Sequence, residues 1–284
     1  MIRKNKMSSR PLIDVVITSY NRLNLLLLAL ESVLFQKAHV NTIIIVDDNS
    51  SFTKDDFFDK AKKIIENDNT EIIFHKNDKN YGACYCRNLG ANLSKAELIA
   101  FLDDDDSWDP NHLNSLVDCF HEHVVLAYSG KNIINYQTGK IRRSLSKIQD
   151  DNQYEQMLRK NYPGSTSSIL VKKSALMAVN GFDVSLPAIQ DYDFYLRICR
   201  LGLLKSSGMY TLNYRNDTPL KITNQLQKAR AAYNIIIQKY HGRERMILNR
   251  TIYKQNIIKC IRYFDFIYLF KFTRDFINFI VEWR

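Results

Sequence analysis

Leu98-Ile99-Ala100-Phe101-Leu102 runs directly into Asp103-Asp104-Asp105-Asp106. The apolar run has the length and composition of a buried strand. Four adjacent carboxylates repel one another unless a cation sits among them. Their hard oxygens suit a divalent ion such as Mg2+ or Mn2+. One reading is a metal site at the C-terminal edge of a sheet, where open α/β sheets bind ligands. The other is a solvated acidic loop ahead of a helix that starts at Asp109-Pro110.

The flanking sequence bears on that choice. Leu12 to Ile17 reads as a first strand and stops at the polar turn Thr18-Ser19-Tyr20-Asn21-Arg22. Leu23 to Phe35 has helical spacing. Thr42 to Val46 is a second buried strand, ending in Asp47-Asp48-Asn49-Ser50-Ser51. Lys54 to Asn67 is helical, Glu71 to His75 a third strand, and Gly82 to Leu93 a helix rich in small residues. Strands alternating with helices imply right-handed crossovers and a parallel sheet with helices on both faces. Three polar clusters (18–20, 47–49 and 103–106) then follow C-terminal strand ends along one edge, which favours the metal site. No Gly-x-Gly-x-x-Gly or phosphate-cradling Gly-x-x-x-x-Gly-Lys-Ser/Thr loop is present.

Beyond Pro110 the spacing predicts a helix to about His123 and strands at Val124–Ser129, Lys131–Tyr136 and Lys140–Ser144. A helix at Gln153–Lys160, a strand at Gly164–Val171 and a short helix at Lys173–Val179 follow. An amphipathic helix begins at Asp191-Tyr192-Asp193, with Leu196, Cys199 and Leu203 facing inward. Asp191 and Asp193 sit where the helix dipole favours negative charge. Trp108 reads either as a sugar-stacking ring or as core.

The 284 residues are 45% hydrophobic and 12% aromatic, enough for a large core and unlike a disordered chain. The net charge of +10 is uneven: residues 224–284 hold 12 Lys and Arg against 4 Asp and Glu, whereas the preceding 223 hold 28 against 26. Five scattered cysteines form no disulfide framework, which points to a reducing compartment. The basic, polar start predicts no secretory leader, and no apolar run is long enough to span a bilayer.

Several motifs in order resemble the family 2 glycosyltransferases with the GT-A nucleotide-sugar fold. They are Ile17-Thr18-Ser19-Tyr20-Asn21-Arg22, Ile45-Val46-Asp47-Asp48-Asn49-Ser50, Asn80-Tyr81-Gly82-Ala83 with Cys86-Arg87-Asn88, Phe101 to Trp108, Gly181-Phe182-Asp183, and Asp191-Tyr192-Asp193. The resemblance covers about residues 11 to 215. It implies an α/β fold with a mostly parallel central sheet, and inverting transfer of a sugar from a nucleoside-diphosphate donor to an acceptor hydroxyl. UDP is the expected nucleotide, and a saccharide or lipid-linked saccharide of an envelope polysaccharide or glycolipid the expected acceptor. Asp105, helped by Asp103, matches the pair that holds Mn2+ or Mg2+ on the diphosphate. Thr18, Ser19, Tyr20, Arg22, Asp47 and Asp48 match the loops around the nucleoside, with Asp48 facing the base. Arg87, Asp103 and Asp104 match residues beside the nucleotide. Asp191 matches the general base, with Asp193 as the fallback. Gln190 stands where the family commonly has Glu, and Thr18 where it often has Pro. No Gln-x-x-Arg-Trp follows, which favours single addition over processive polymerisation.

The expected organisation is a flexible stretch over residues 1–10, a catalytic domain over 11–223 and a basic helical tail over 224–284. The catalytic domain divides into a nucleotide-binding half, 11–108, and an acceptor half, 109–223. The tail is aromatic, with Tyr263, Phe264, Phe270, Phe272, Phe276 and Trp283 among cations. Such a helix lies on an anionic membrane surface, or packs on the domain or on a second subunit as a homodimer contact. The expected location is cytoplasmic, peripheral on the inner face of the membrane. Two competing readings are a metal-dependent nucleotidyltransferase, which lacks its Gly-rich loop here, and a nucleic-acid-binding protein, for which the tail matches no recognised module.

Overall fold

The computed structural model describes residues 11–148, 150–217, 226–262 and 266–282. The stretch over residues 1–10 and the aromatic residues Tyr263, Phe264 and Trp283 lie outside them.

The first half alternates as its apolar pattern requires. Strands β1 (Ile13–Ser19), β2 (Thr42–Asp47), β3 (Glu71–Lys76) and β4 (Leu98–Asp103) are separated by helices α1 (Leu23–Leu34), α2 (Lys54–Ile65) and α3 (Ala83–Leu93). The four strands pair in parallel in the order β3-β2-β1-β4. β1 and β2 are buried along their whole length because helices cover both faces. Their side chains alternate between two cores: Val16, Ile44 and Val46 enter one, and Val15, Ile17, Ile43 and Ile45 enter the other. A capping box between Thr53 and Asp56 starts α2. The small residues of α3 bring it close to β1. A Cβ on Gly90 would lie 2.4 Å from Val16 Cγ1.

The second half adds β5 (Ser107–Trp108), α4 (His112–Val117), β6 (Val124–Asn135), β7 (Lys140–Ser144), α5 (Gln153–Arg159), a 3-10 turn (Thr166–Ser168) and β8 (Ile169–Lys172). Helices α6 (Lys173–Ala178) and α7 (Gln190–Ile198) and strand β9 (Leu203–Arg215) follow. The sheet continues from β4 as β8-β6-β9-β5, with β7 on the free part of β6. β6 and β9 pair in parallel; the other contacts in this half are antiparallel. The chain then forms α8 (Leu226–Gln238), α9 (Gly242–Arg262) and α10 (Phe266–Glu282).

Four local expectations change. The two strands expected either side of Gly130 are one, β6. Gly130 sits at a register shift, with Tyr210 and Met209 about where its Cβ would be, at 2.9 and 3.1 Å. The strand expected over 164–171 begins only at Ile169, because Ser165 accepts a bond from the Ser167 amide and closes a 3-10 turn. The helix after Pro110 stops at Val117. Leu203 is not on α7 but opens β9, a strand whose polar centre, Lys205 to Gly208, hides it in the sequence.

The basic segment begins inside the core. Ala229, Ala232, Tyr233, Ile236 and Ile237 of α8 are buried with α7 and β4. Tyr253, Cys260 and Phe272 form a small separate core between α9 and α10. Among the described residues no helix is long and apolar enough to cross a membrane.

Candidate active site

Parallel register builds one edge of the site. Ser19 lies beside Asp47, and Thr18 beside both Val46 and Asp103. The three polar clusters therefore converge at the C-terminal ends of β1, β2 and β4.

The tetrad is not four equivalent acids. Asp103 accepts bonds from Arg87 Nη2 at 2.5 Å and Thr18 Oγ1 at 3.3 Å. Arg22 bridges the next two, reaching Asp104 at 2.5 Å and Asp105 at 3.1 Å. Burial works against the Arg22 charge, but Asp104 and Asp105 outweigh it and raise its pKa. Asp104 also accepts the Tyr20 amide at 3.2 Å, and burial pushes its carboxyl up to about 7 against the pull of Arg22. Asp106 accepts the Arg215 amide at 3.0 Å and ties β4 to β9.

The other strand-end acids brace the loops. Asp47 accepts bonds from the Ser50 amide and hydroxyl and pairs with Lys76 at 3.4 Å. Asp48 accepts the Tyr81 and Gly82 amides at 2.8 and 2.7 Å, and Asn77 Nδ2 at 2.9 Å. Its own amide donates to Ser19 O at 2.8 Å. Tyr20 is exposed and Ser19 buried.

A cavity of about 410 Å³ opens at this edge. Thr18, Arg22, Arg87, Asp103, Asp105 and Asp191 line it; Ser19, Tyr20, Asp47, Asp48, Asp104 and Asp193 do not. Asp103 and Asp105 offer hard oxygens to the cavity, a donor set that suits Mn2+ or Mg2+. Among the described residues no three acid, His or Cys side chains form a closed metal cage.

α7 supplies the other wall. Ile189 precedes it with φ +51°, a left-handed conformation that costs a β-branched residue about 1–2 kcal/mol. Asp191 accepts its neighbour Tyr192's amide at 2.8 Å and Asn161 Nδ2 at 3.2 Å. Burial raises its carboxyl above the ordinary range, opposed by these donors and by Lys131 and Arg87. Asp193 is fully buried and turned away. It pairs with Arg197 at 2.7 Å and with Lys239 at 2.7 Å, and Lys239 also holds Asp183 at 2.5 Å.

Sequence reasoning missed Lys131, Asn161 and Tyr214, all of which line the cavity. Asn161-Tyr162-Pro163-Gly164 carries a turn signal, and Asn161 Oδ1 accepts the Gly164 amide at 2.9 Å. Lys131 is a cation next to a fully buried run, a visible anomaly. Trp108 is core: it donates to Ser167 O at 2.7 Å and stacks on His112 at 4.5 Å. Cys84 and Cys86 are buried, and burial pushes the Cys84 thiol up to about 12.

Comparison with known proteins bears on the family and the fold. The profile of the family "Glycosyl transferase family 2" matches residues 14–182. A putative colanic acid biosynthesis glycosyl transferase of Escherichia coli, WcaA, is 30% identical over 198 residues, covering 68% of this chain and 67% of that protein. An uncharacterized glycosyltransferase of Haemophilus influenzae is 25% identical over 192 residues, covering 66% of this chain and 62% of the relative's length. Two solved structures share the fold at 14% identity. S. aureus TarS, residues 1–349, in complex with UDP-GlcNAc, superposes with a TM-score of 0.63 over 85% of this chain and 71% of that one. The mannosyltransferase PcManGT from Pyrobaculum calidifontis, in complex with GDP-Man and Mn2+, gives 0.62 over 88% and 72%. By the family profile and the Escherichia coli relative, the chain belongs to glycosyl transferase family 2 and is a glycosyltransferase.

Proposed function

We propose that this glycosyltransferase moves a sugar from a nucleoside diphosphate, UDP in preference to GDP or dTDP, to an acceptor hydroxyl with inversion. The observation that supports it is one cavity lined by Asp103, Asp105, Arg22, Arg87 and Asp191. Asp191 accepts the acceptor hydroxyl's proton as the oxygen attacks the anomeric carbon. The new carbon–oxygen bond forms as the bond to the diphosphate breaks, and the electron pair leaves with the nucleoside diphosphate. The raised pKa of Asp191 suits it to take up that proton. Arg22 and Arg87 bring positive charge to the diphosphate, and Thr18 lies on the nucleoside side, on an edge whose loops Asp48 braces. Asp105 and Asp103 would hold Mn2+ or Mg2+, and the ion would supply neutralisation of the leaving diphosphate.

The acceptor is a saccharide or lipid-linked saccharide of an envelope polysaccharide. Phe270 and Ile277 of α10 are 70% and 54% exposed, with Arg274 between them in sequence. They favour contact with an anionic membrane over packing on the domain.

Thermal unfolding with UDP-, GDP- and dTDP-sugars, each with Mn2+, Mg2+ or neither, tests the donor site. A ligand at a hundred times its Kd stabilises by about 2.7 kcal/mol. The UDP-sugar with metal is expected to give the largest shift, and Asp105→Ala to lose the metal-dependent part. No response to any nucleotide refutes the donor-site assignment.

A further inference from the structure

The hairpin of β6 and β7 carries charge of one sign. From Val124 to Ile148 the sequence contains Lys131, Lys140, Arg142, Arg143 and Lys147 and no Asp or Glu. The surrounding chain does not share this bias, since the first 223 residues hold 28 Lys and Arg against 26 Asp and Glu. Ordinary solvated surfaces mix the two signs.

The pairing register sorts these cations. Directly opposed residues of an antiparallel ladder share a face. Lys131 stands opposite Ser144, Ile133 opposite Arg142, and Asn135 opposite Lys140. Lys131 lines the cavity, with its ammonium 4.6 Å from the Tyr214 ring. Two-residue alternation then places Arg142 and Lys140 on that same face, at successive steps of about 7 Å outward from the cavity. Arg143, opposite Asn132, takes the other face, where its guanidinium lies 5.4 Å from the Tyr210 ring. Lys140 to Arg143 are exposed, and neither Lys140 nor Arg142 forms an ion pair among the described residues.

We propose that the acceptor is an anionic glycan whose carboxylate or phosphate groups lie along the track Lys131–Arg142–Lys140. This rests on the reading of the cavity as the transfer site. At the donor end Arg22 and Arg87 are already engaged by the tetrad. Lys131 stands beside the general base on the acceptor side, and the exposed Arg142 and Lys140 extend the same face outward from it. Acid groups on units beyond the one glycosylated meet them in turn. Such a row of cations, half-buried at Lys131 and exposed at Arg142 and Lys140, sets register and encounter more than raw affinity.

Two acidic probes, an oligogalacturonate and a glycerol-phosphate oligomer, and a neutral maltooligosaccharide of equal length test the proposal with UDP and Mn2+ present. Fluorescence anisotropy should show tighter binding of at least one acidic probe than of the neutral one, weakening as salt rises. The double substitution Lys140→Glu/Arg142→Glu should weaken acidic binding roughly tenfold and flatten its salt dependence. Lys140→Gln/Arg142→Gln should give an intermediate loss, which separates charge from fold damage. Both variants should bind UDP as the parent does. Equal binding of acidic and neutral probes, or acidic binding unchanged by the charge reversal, overturns the proposal. So does an effect of the reversal confined to anionic vesicles. UDP binding distinguishes the failures: its absence in the parent refutes the donor site itself, whereas its presence without an acidic preference refutes the anionic acceptor alone.

Discussion

The two edges of the cavity are built in opposite ways. On the β1–β4 side, acids close in sequence are compensated by Arg22 of the loop after β1, by Arg87 of α3 and by loop amides. Asp103 has Arg87, Asp104 and Asp105 share Arg22, and Asp48 has the amides that open α3. On the α7 side, two acids two residues apart meet different environments. Asp193 is buried between Arg197 and Lys239, while Asp191 faces the cavity with Asn161 and an amide as its donors. Register places the acids of the first set, although Arg22 reaches Asp105 from 83 residues away; packing between helices separates the second. Lys239 is 46 residues from Asp193, and Asn161 is 30 from Asp191. One motif therefore supplies both the cavity-facing acid proposed as the base and the ion pairs that hold its helix.

Substituting the two acids separately is the sharpest way to break that contrast. Asp191→Asn should lower kcat by about a hundred- to ten-thousand-fold, the usual worth of a general base, with UDP affinity kept. Transfer at the parent rate would move the base elsewhere. Asp193→Ala should instead cost about 2–3 kcal/mol of stability, because Arg197 and Lys239, themselves partly exposed, lose a fully buried charged partner. Urea unfolding measures it. A loss below about 1 kcal/mol, with a full loss of turnover, would reverse the roles assigned to the two acids.

How much of this was legible follows from the same contrast. The strands β1, β2 and β4 and the acids at their ends were readable because a buried parallel strand is a short apolar run that stops at its functional edge. The different burdens of Asp103 to Asp106 were not, since Arg22 and Arg87 lie far from them in sequence and only the fold brings them in. In the second half of the sheet, Gly130 reads as a break when it is a point of close approach within one strand. Lys205 to Gly208 masks β9, whose pairing with β6 carries the hairpin. Asn161 could be read as a turn residue, but its bond to Asp191 depends on where α5 and α7 pack.

Asn161 gives the smallest and most specific test. Burial raises the pKa of Asp191, and the Asn161 amide opposes that rise by bonding to the charged form. A base must be deprotonated, so turnover should fall as pH drops through this raised value, above the ordinary carboxylate range. Asn161→Ala removes a donor to the carboxylate and should move the acid limb further up. The Asn161 amide donates to the ionised carboxylate, so losing it destabilises the charged form and the limb should move upward only. Turnover on the plateau at higher pH should change little, because the ionised base still stands in the same cavity. A limb that stays in place would mean that Asn161 only shapes the Pro163-Gly164 turn. A limb that moves down would mean that the titrating group is not Asp191, and the base would then have to be sought among the other carboxylates of the cavity.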